Sequence, residues 1–254
     1  MKDKGLYKKL LTIVAPIAFQ YFMSSLVSAS DAFMLGFLNQ DSLSAVSLAG
    51  QVAFVYGFFI YAFVSGCNVL AAQYWGKKDT KTVGEVLAVT MRYSLVVGAV
   101  FTLAALIVPC SIMRFFTNDS ELIRLGGIYL RVVALSYILG GFSQGYFGIM
   151  KVCDLAGLSS LIGSLAVVLN IALNAVFIFG IGPFPEMGIA GAALATVITR
   201  AFECVFILVV MIRGKCPRLS VKKKERIKYL KIVTHVQKDR YESIVTICAV
   251  KNLK

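Results

Sequence analysis

The chain has 254 residues, 58% of them hydrophobic, and a mean hydropathy of +0.79. Soluble domains are about 45 to 50% apolar, so this composition excludes a water-soluble globular protein and leaves an integral membrane protein. The net charge of +13 is uneven: residues 1–212 hold 13 Lys/Arg against 10 Asp/Glu, and residues 213–254 hold 13 against 3. A basic end on such a chain reports the side of the membrane and not nucleic acid.

The first apolar run, residues 10–38, exceeds the roughly 20 residues that cross a bilayer. It is too long for a secretory signal and has no A-x-A-like cleavage site, so it is expected to stay in the mature protein. It also carries a carboxylate, Asp31. An ionised Asp near mid-membrane costs at least about 2.5 kcal/mol on insertion scales, so such a residue faces a wet cavity or a partner. At about 100° per residue, Pro16, Gln20, Ser24, Ser28 and Asp31 share one narrow sector of the helix. Two readings follow: a polar stripe lining a cavity, or Ser and Gln bonding their own backbone with Asp31 among outer headgroups.

Five further spans are expected at residues 46–75, 86–113, 125–150, 158–182 and 188–212, all helical because hydrocarbon tolerates no unpaired backbone. Lys/Arg mark the amino end, residues 77–81, Lys151 and the tail from Arg213, whereas residues 39–41 and 182–186 carry none. Arg114 and Arg124 flank the remaining outer loop, the second of three, partly balanced by Asp119 and Glu121. The alternation predicts a multi-pass protein of the cell membrane with both termini cytoplasmic. Residues 1–212 form the transmembrane lobe, and residues 213–254 a basic cytoplasmic tail, with Lys222–Lys224, Arg226 and Lys228 near anionic lipid.

Polar faces recur along the chain. Gly57, Tyr61, Ser65 and Asn68 share one in the second span; Tyr137, Gly141, Gln144 and Gly148 in the fourth; Gly163, Asn170 and Asn174 in the fifth. Asn68, Tyr137, Asn170 and Asn174 join Gln20 and Asp31 as candidate ion or substrate ligands, the alternative for Asn170 and Asn174 being that they hold helices together as the glycines do. Arg200 and Glu203, at (i, i+3) in the middle of the sixth span, are placed to neutralise each other as a structural ion pair, with a role in the transport path as the alternative. Pro16 removes a backbone bond and lets the first helix bend.

Six cysteines (Cys67, Cys110, Cys153, Cys204, Cys216, Cys248) show no C-x-x-C pair, and His235 is the single histidine. Neither a metal centre nor a disulfide framework is expected. No G-x-x-x-x-G-K-[ST] loop is present, so energy is expected from an ion gradient and not from ATP.

These residues, in this order, resemble the multidrug and toxic compound extrusion (MATE) transporters. Pro16 and Asp31 are followed by Met34-Leu35-Gly36 and Leu43-Ser44-Ala45-Val46, then by residues 71–79 (AAQYWGKKD). Asn170-Ile171-Ala172-Leu173-Asn174 and residues 188–196 (GIAGAALAT) with Arg200 complete the likeness over about 210 residues. The resemblance implies an all-α polytopic fold of six transmembrane helices, one of the two lobes of that family. It implies a non-enzymatic antiporter that expels organic cations or drugs in exchange for sodium ions or protons, with no cofactor besides the coupling ion. Asp31 matches the family's ion-site acid and Asn170 and Asn174 its fifth-helix pair, where many members carry Asp at the second position; Asn174 cannot ionise, so this site holds one acid.

The likeness covers one lobe. Tyr229-Leu230-Lys231-Ile232-Val233 is similar to the start of a seventh helix, but residues 234–242 are polar, so the tail is expected to be a truncated start of the second lobe. Transport then needs a homodimer or a separate second lobe; the alternative is an inactive membrane fragment. Lipid-flippase relatives favour basic cavity linings, whereas the interior candidates here are mostly neutral or acidic.

Overall fold

A computed structural model of the chain describes residues 3–214, with backbone alone for residues 3–10, 12 and 13. The expected tail thus lies, from residue 215 on, outside the described residues. Seven helices follow one another: α1 (Asp3–Gly36), α2 (Gln40–Gly76), α3 (Thr80–Ile107), α4 (Pro109–Phe116), α5 (Ser120–Val152), α6 (Ala156–Phe179) and α7 (Gly188–Ile212). By length and apolar composition α2, α3, α5, α6 and α7 can cross a membrane. At 1.5 Å per residue the 34 residues of α1 extend about 51 Å.

Each boundary has a local cause. The Asn39 side chain accepts from the Ser42 amide at 2.6 Å, so α2 starts at Gln40, ahead of the expected 46. Asp79 caps α3 through the Thr82 amide at 3.1 Å, and Asp119 caps α5 through the Glu121 amide at 2.8 Å. These carboxylates satisfy donors that the first turn of a helix leaves free. α6 ends at Phe179 because Gly180 turns left-handed, φ 67°, three residues before the expected end.

The third expected span, 86–113, is corrected. α3 starts earlier, at Thr80, and stops at Ile107; Val108 leaves helical geometry (φ −127°, ψ 40°), and Pro109 opens the separate eight-residue α4. Proline disfavours helix in the residue before it and has no N–H to continue the ladder, yet suits the first helical position. Among the described residues there are therefore seven helices, five of them long and apolar enough to cross a membrane, where six spans are expected.

α5 lies at the centre, packed on α2, α3 and α7. Small residues let α3 and α5 approach: a Cβ at Gly141 would lie 2.5 Å from the Ser94 carbonyl oxygen, and one at Gly98 2.8 Å from that of Tyr137. The Thr102 hydroxyl donates to the Ala134 carbonyl at 2.9 Å across the same seam. In lipid, close packing and interhelical hydrogen bonds replace the hydrophobic drive that holds soluble helices together.

α1 and α6 run parallel and in step. Pro16 meets Ser160, Gln20 meets Gly163, and Asp31 meets Asn174. The Ser160 hydroxyl donates to the Pro16 carbonyl at 2.7 Å, and α1 passes through Pro16 unbroken. The outer surface is apolar, with Phe33, Phe54, Phe58 and Ile212 exposed; hydrocarbon is the solvent that such a surface fits. Among the described residues Cys67, Cys110 and Cys204 are free thiols, and Cys216 and Cys248 lie outside the described residues.

Candidate functional site

Two polar centres lie within the bundle. The first joins α1, α6 and α7. Asn174 Nδ2 donates to Asp31 Oδ1 at 2.5 Å and also faces Asn170 Oδ1 at 3.2 Å. Asn170 Nδ2 in turn donates to Thr199 Oγ1 at 3.4 Å, and the Thr199 hydroxyl donates to the Ala195 carbonyl at 2.8 Å. Both asparagines are almost wholly buried, at 3% and 1% exposure, whereas Asp31 is half-buried.

The spacing explains the chain of bonds. Asn170 and Asn174 sit one turn apart on α6, so their amides stack on the side turned to Asp31. The chain is not closed: Asn174 Oδ1 is buried with no hydrogen-bond partner among the described residues. A buried acceptor without a donor costs about 1 to 3 kcal/mol, and here it lies beside a carboxylate that accepts from one donor. Oxygens grouped in this way are what a hard cation binds. Among the described residues no cluster of three His, Cys, Asp or Glu exists, so the oxygens come from amides and a single acid.

The second centre is a cavity of about 360 Å³ walled by α2, α5 and α7, with Tyr21 of α1 at its edge. Five tyrosines line it: Tyr21, Tyr56, Tyr61, Tyr129 and Tyr137. The Tyr56 hydroxyl donates to the Tyr137 carbonyl at 2.7 Å, which fixes α2 on α5. Arg200 also opens on the cavity and donates through Nη1 to both carboxylate oxygens of Glu203, at 3.0 and 2.9 Å. Tyr129 lines the cavity and also packs on the apolar cluster of Leu35, Ile178, Ile189 and Ala192.

The sequence candidates therefore separate. Asp31, Asn170 and Asn174 come together. Tyr137 belongs to the cavity wall with Gly57, Tyr61 and Gln144. Gln20, about 16 Å from Asp31 along α1, packs on Gly163, and Asn68 packs on Gly148 of α5. Each leaves its amide oxygen buried and unpartnered. Ser24, within the expected stripe, is exposed and bonds back to the Gln20 carbonyl at 3.0 Å.

Thr199, Tyr56 and Tyr129 were not among the sequence candidates. Thr199 stands one turn after Ala195 on the α7 face that meets Asn170, a signal available only once α6 and α7 are paired. Tyr129 lies eight residues before Tyr137, which places it on the same broad face of α5.

Over 238 residues the chain is 21% identical to the uncharacterized transporter YisQ of Bacillus subtilis, covering 94% of this chain and 50% of that one. It is 30% identical over 169 residues to the probable multidrug resistance protein NorM of Rhizobium meliloti, covering 66% and 36%. An outward-facing multidrug resistance MATE family transporter of the MOP superfamily superposes with a TM-score of 0.78 at 22% identity, over 88% of this chain and 49% of that one. The chain thus spans about half the length of the curated relatives it matches, and the shared fold is that of one part of a MATE-type transporter. The MatE family model matches residues 16–176, more than half of the chain and inclusive of Asp31, Asn170 and Asn174, so this chain belongs to the MatE family, whose members are transporters and not enzymes.

Proposed function

We propose that the chain is the six-crossing lobe of a secondary antiporter, in which the Asp31 centre exchanges a sodium ion or proton against a cationic drug-like substrate. In this reading α1 is the sixth crossing, residues 1–212 make up the lobe, and both ends face the cytoplasm of a cell-membrane protein. The observation that carries it is the half-buried Asp31 carboxylate beside Asn174, whose own amide oxygen has no donor. A carboxylate withdrawn from water needs a positive partner. A coupling ion and an organic cation compete for that one charge, and competition links their movements.

Relatives named as probable multidrug resistance proteins favour a drug-like cation. Asn170, Asn174 and Asp31 supply oxygens to the ion, and Thr199 holds Asn170 in place.

Switching access needs a second body against which the lobe rocks around a midplane site. That body is a second copy related by a two-fold axis along the membrane normal, with an isologous interface, or a separate second lobe. The second reading is a folded membrane fragment without transport. Dye efflux in cells stripped of their own pumps, combined with crosslinking, separates the two. Efflux above the empty vector that Asp31→Asn abolishes supports the antiporter; a monomer with efflux equal to the vector sinks it.

A further inference from the structure

The cavity holds a cation that the exchange at Asp31 does not use. Among the described residues Arg200 is the one charged residue lining it, and it stands near the middle of α7. Its Nη1 is taken by Glu203, but Nε and Nη2 make no other hydrogen bond among the described residues. A third of the Arg200 side chain is open, against 7% for Glu203. The pair is therefore a dipole with its positive end at the cavity and its negative end packed behind. An anion in the cavity sits nearer the guanidinium than the carboxylate, and the nearer charge prevails.

The surroundings specify the rest of the ligand. Tyrosine rings form the walls, and the volume of about 360 Å³ lies at the lower end of the roughly 300 to 1,000 Å³ typical of small-molecule sites. Gly140 leaves room where the Tyr56 hydroxyl and the Arg200 Cδ approach α5, at 3.4 and 4.0 Å from where a Cβ would stand. The free Nε and Nη2 present the parallel donors that fork a carboxylate or phosphate.

We propose that this cavity binds an oxyanion carried on a flat apolar body, with the anion held by Nε and Nη2 of Arg200 and the body among the tyrosines. The site is separate from the Asp31 centre and does not depend on the antiport reading. It adds an anionic handle to a lobe otherwise read as selecting cations.

The test is equilibrium binding of naphthalene-2-carboxylate and of its neutral carboxamide to the full chain in uncharged detergent. The carboxylate is expected to bind at least tenfold more tightly; equal binding overturns the proposal. Arg200→Gln combined with Glu203→Gln removes both charges without leaving one buried alone, and is expected to bring the carboxylate down to the amide. A retained preference in that folded variant overturns the proposal. Should the double variant fail to fold, Arg200→Lys keeps the charge pair but loses the fork, and a severalfold loss for the carboxylate alone is expected; no loss counts against the site. Repetition in phosphatidylglycerol bilayers separates the sources of the oxyanion: displacement of the carboxylate assigns the site to a lipid headgroup, and undiminished binding assigns it to a soluble ligand. Asp31→Asn is expected to keep the carboxylate preference while removing cation exchange, so the two readings fail separately.

Discussion

Asn174 of α6 donates a hydrogen bond to Asp31 of α1 while its own amide oxygen stays buried without a donor. The pair is thus both an interhelical contact and a group of oxygens that a cation fits, and the two roles make different predictions. Asn174→Leu removes the donor and leaves a carboxylate facing hydrocarbon. A hydrogen bond to a charged group is worth about 1.5 to 3 kcal/mol, so thermal unfolding in detergent is expected to fall by several degrees at neutral pH. An unchanged midpoint contradicts the contact.

Asn174→Asp tests the oxygen site. A second acid beside Asp31 repels it unless a cation lies between them, so sodium is expected to stabilise the variant more than the parent. Ligand at 100 times its dissociation constant adds about 2.7 kcal/mol, which a melting curve resolves. Equal sodium dependence in both proteins counts against cation binding by these oxygens.

Close packing of α3 on α5 is tested by glycine replacement. Gly141→Ala drives a methyl toward the Ser94 carbonyl and is expected to destabilise by about 1 to 3 kcal/mol. Gly50→Ala, in the body of α2 with nothing within 4 Å, is expected to be neutral or to stabilise by up to about 1 kcal/mol. Similar midpoints for the two variants would show that the seam is looser than described.

Much of the lobe was legible because hydrocarbon imposes a simple rule: helices of sufficient apolar length, interrupted by charge or turn residues. The rule failed at Val108 and Pro109, where the apolar run continues although the backbone does not, and so α4 was absorbed into the third span. Asp31, Asn170 and Asn174 stood out as polar groups in apolar segments. Thr199 did not, because a helical threonine that bonds the carbonyl four residues back is unexceptional until its neighbour is known. Gln20 was grouped with Asp31 because a helical wheel shows direction and hides distance along the axis.

A loop carboxylate gives the pH dependence. Asp79 accepts from the Thr82 hydroxyl at 2.5 Å and from its amide, and these bonds, the hydroxyl first, hold its carboxyl below the usual aspartate value. The folded value lies below the unfolded one, so the stabilisation is fully present above the unfolded value of about 3.9 and is lost as pH falls through the lower folded value. Melting between about pH 5 and about pH 2.5 is expected to drop more steeply for the parent than for Asp79→Asn. Parallel curves would remove Asp79 from the acid response.

Pro16 and Ser160 supply a local test of how α1 is held. Ser160→Ala removes the donor to the Pro16 carbonyl, at a cost of about 1 kcal/mol. Hydrogen exchange of the α1 amides is expected to quicken around Pro16 more than around Asp31. Uniform exchange along α1 would show that the bond does not anchor this part of the helix.

Competition at one carboxylate is measured most directly by binding of a lipophilic cation, tetraphenylphosphonium, to the purified full chain as sodium concentration or acidity rises. Binding is expected to weaken in step with one of the two competitors, close to one ion displaced per cation bound, and Asp31→Asn is expected to abolish that dependence. Binding indifferent to both sodium and pH, or an identical dependence in Asp31→Asn, would contradict the account.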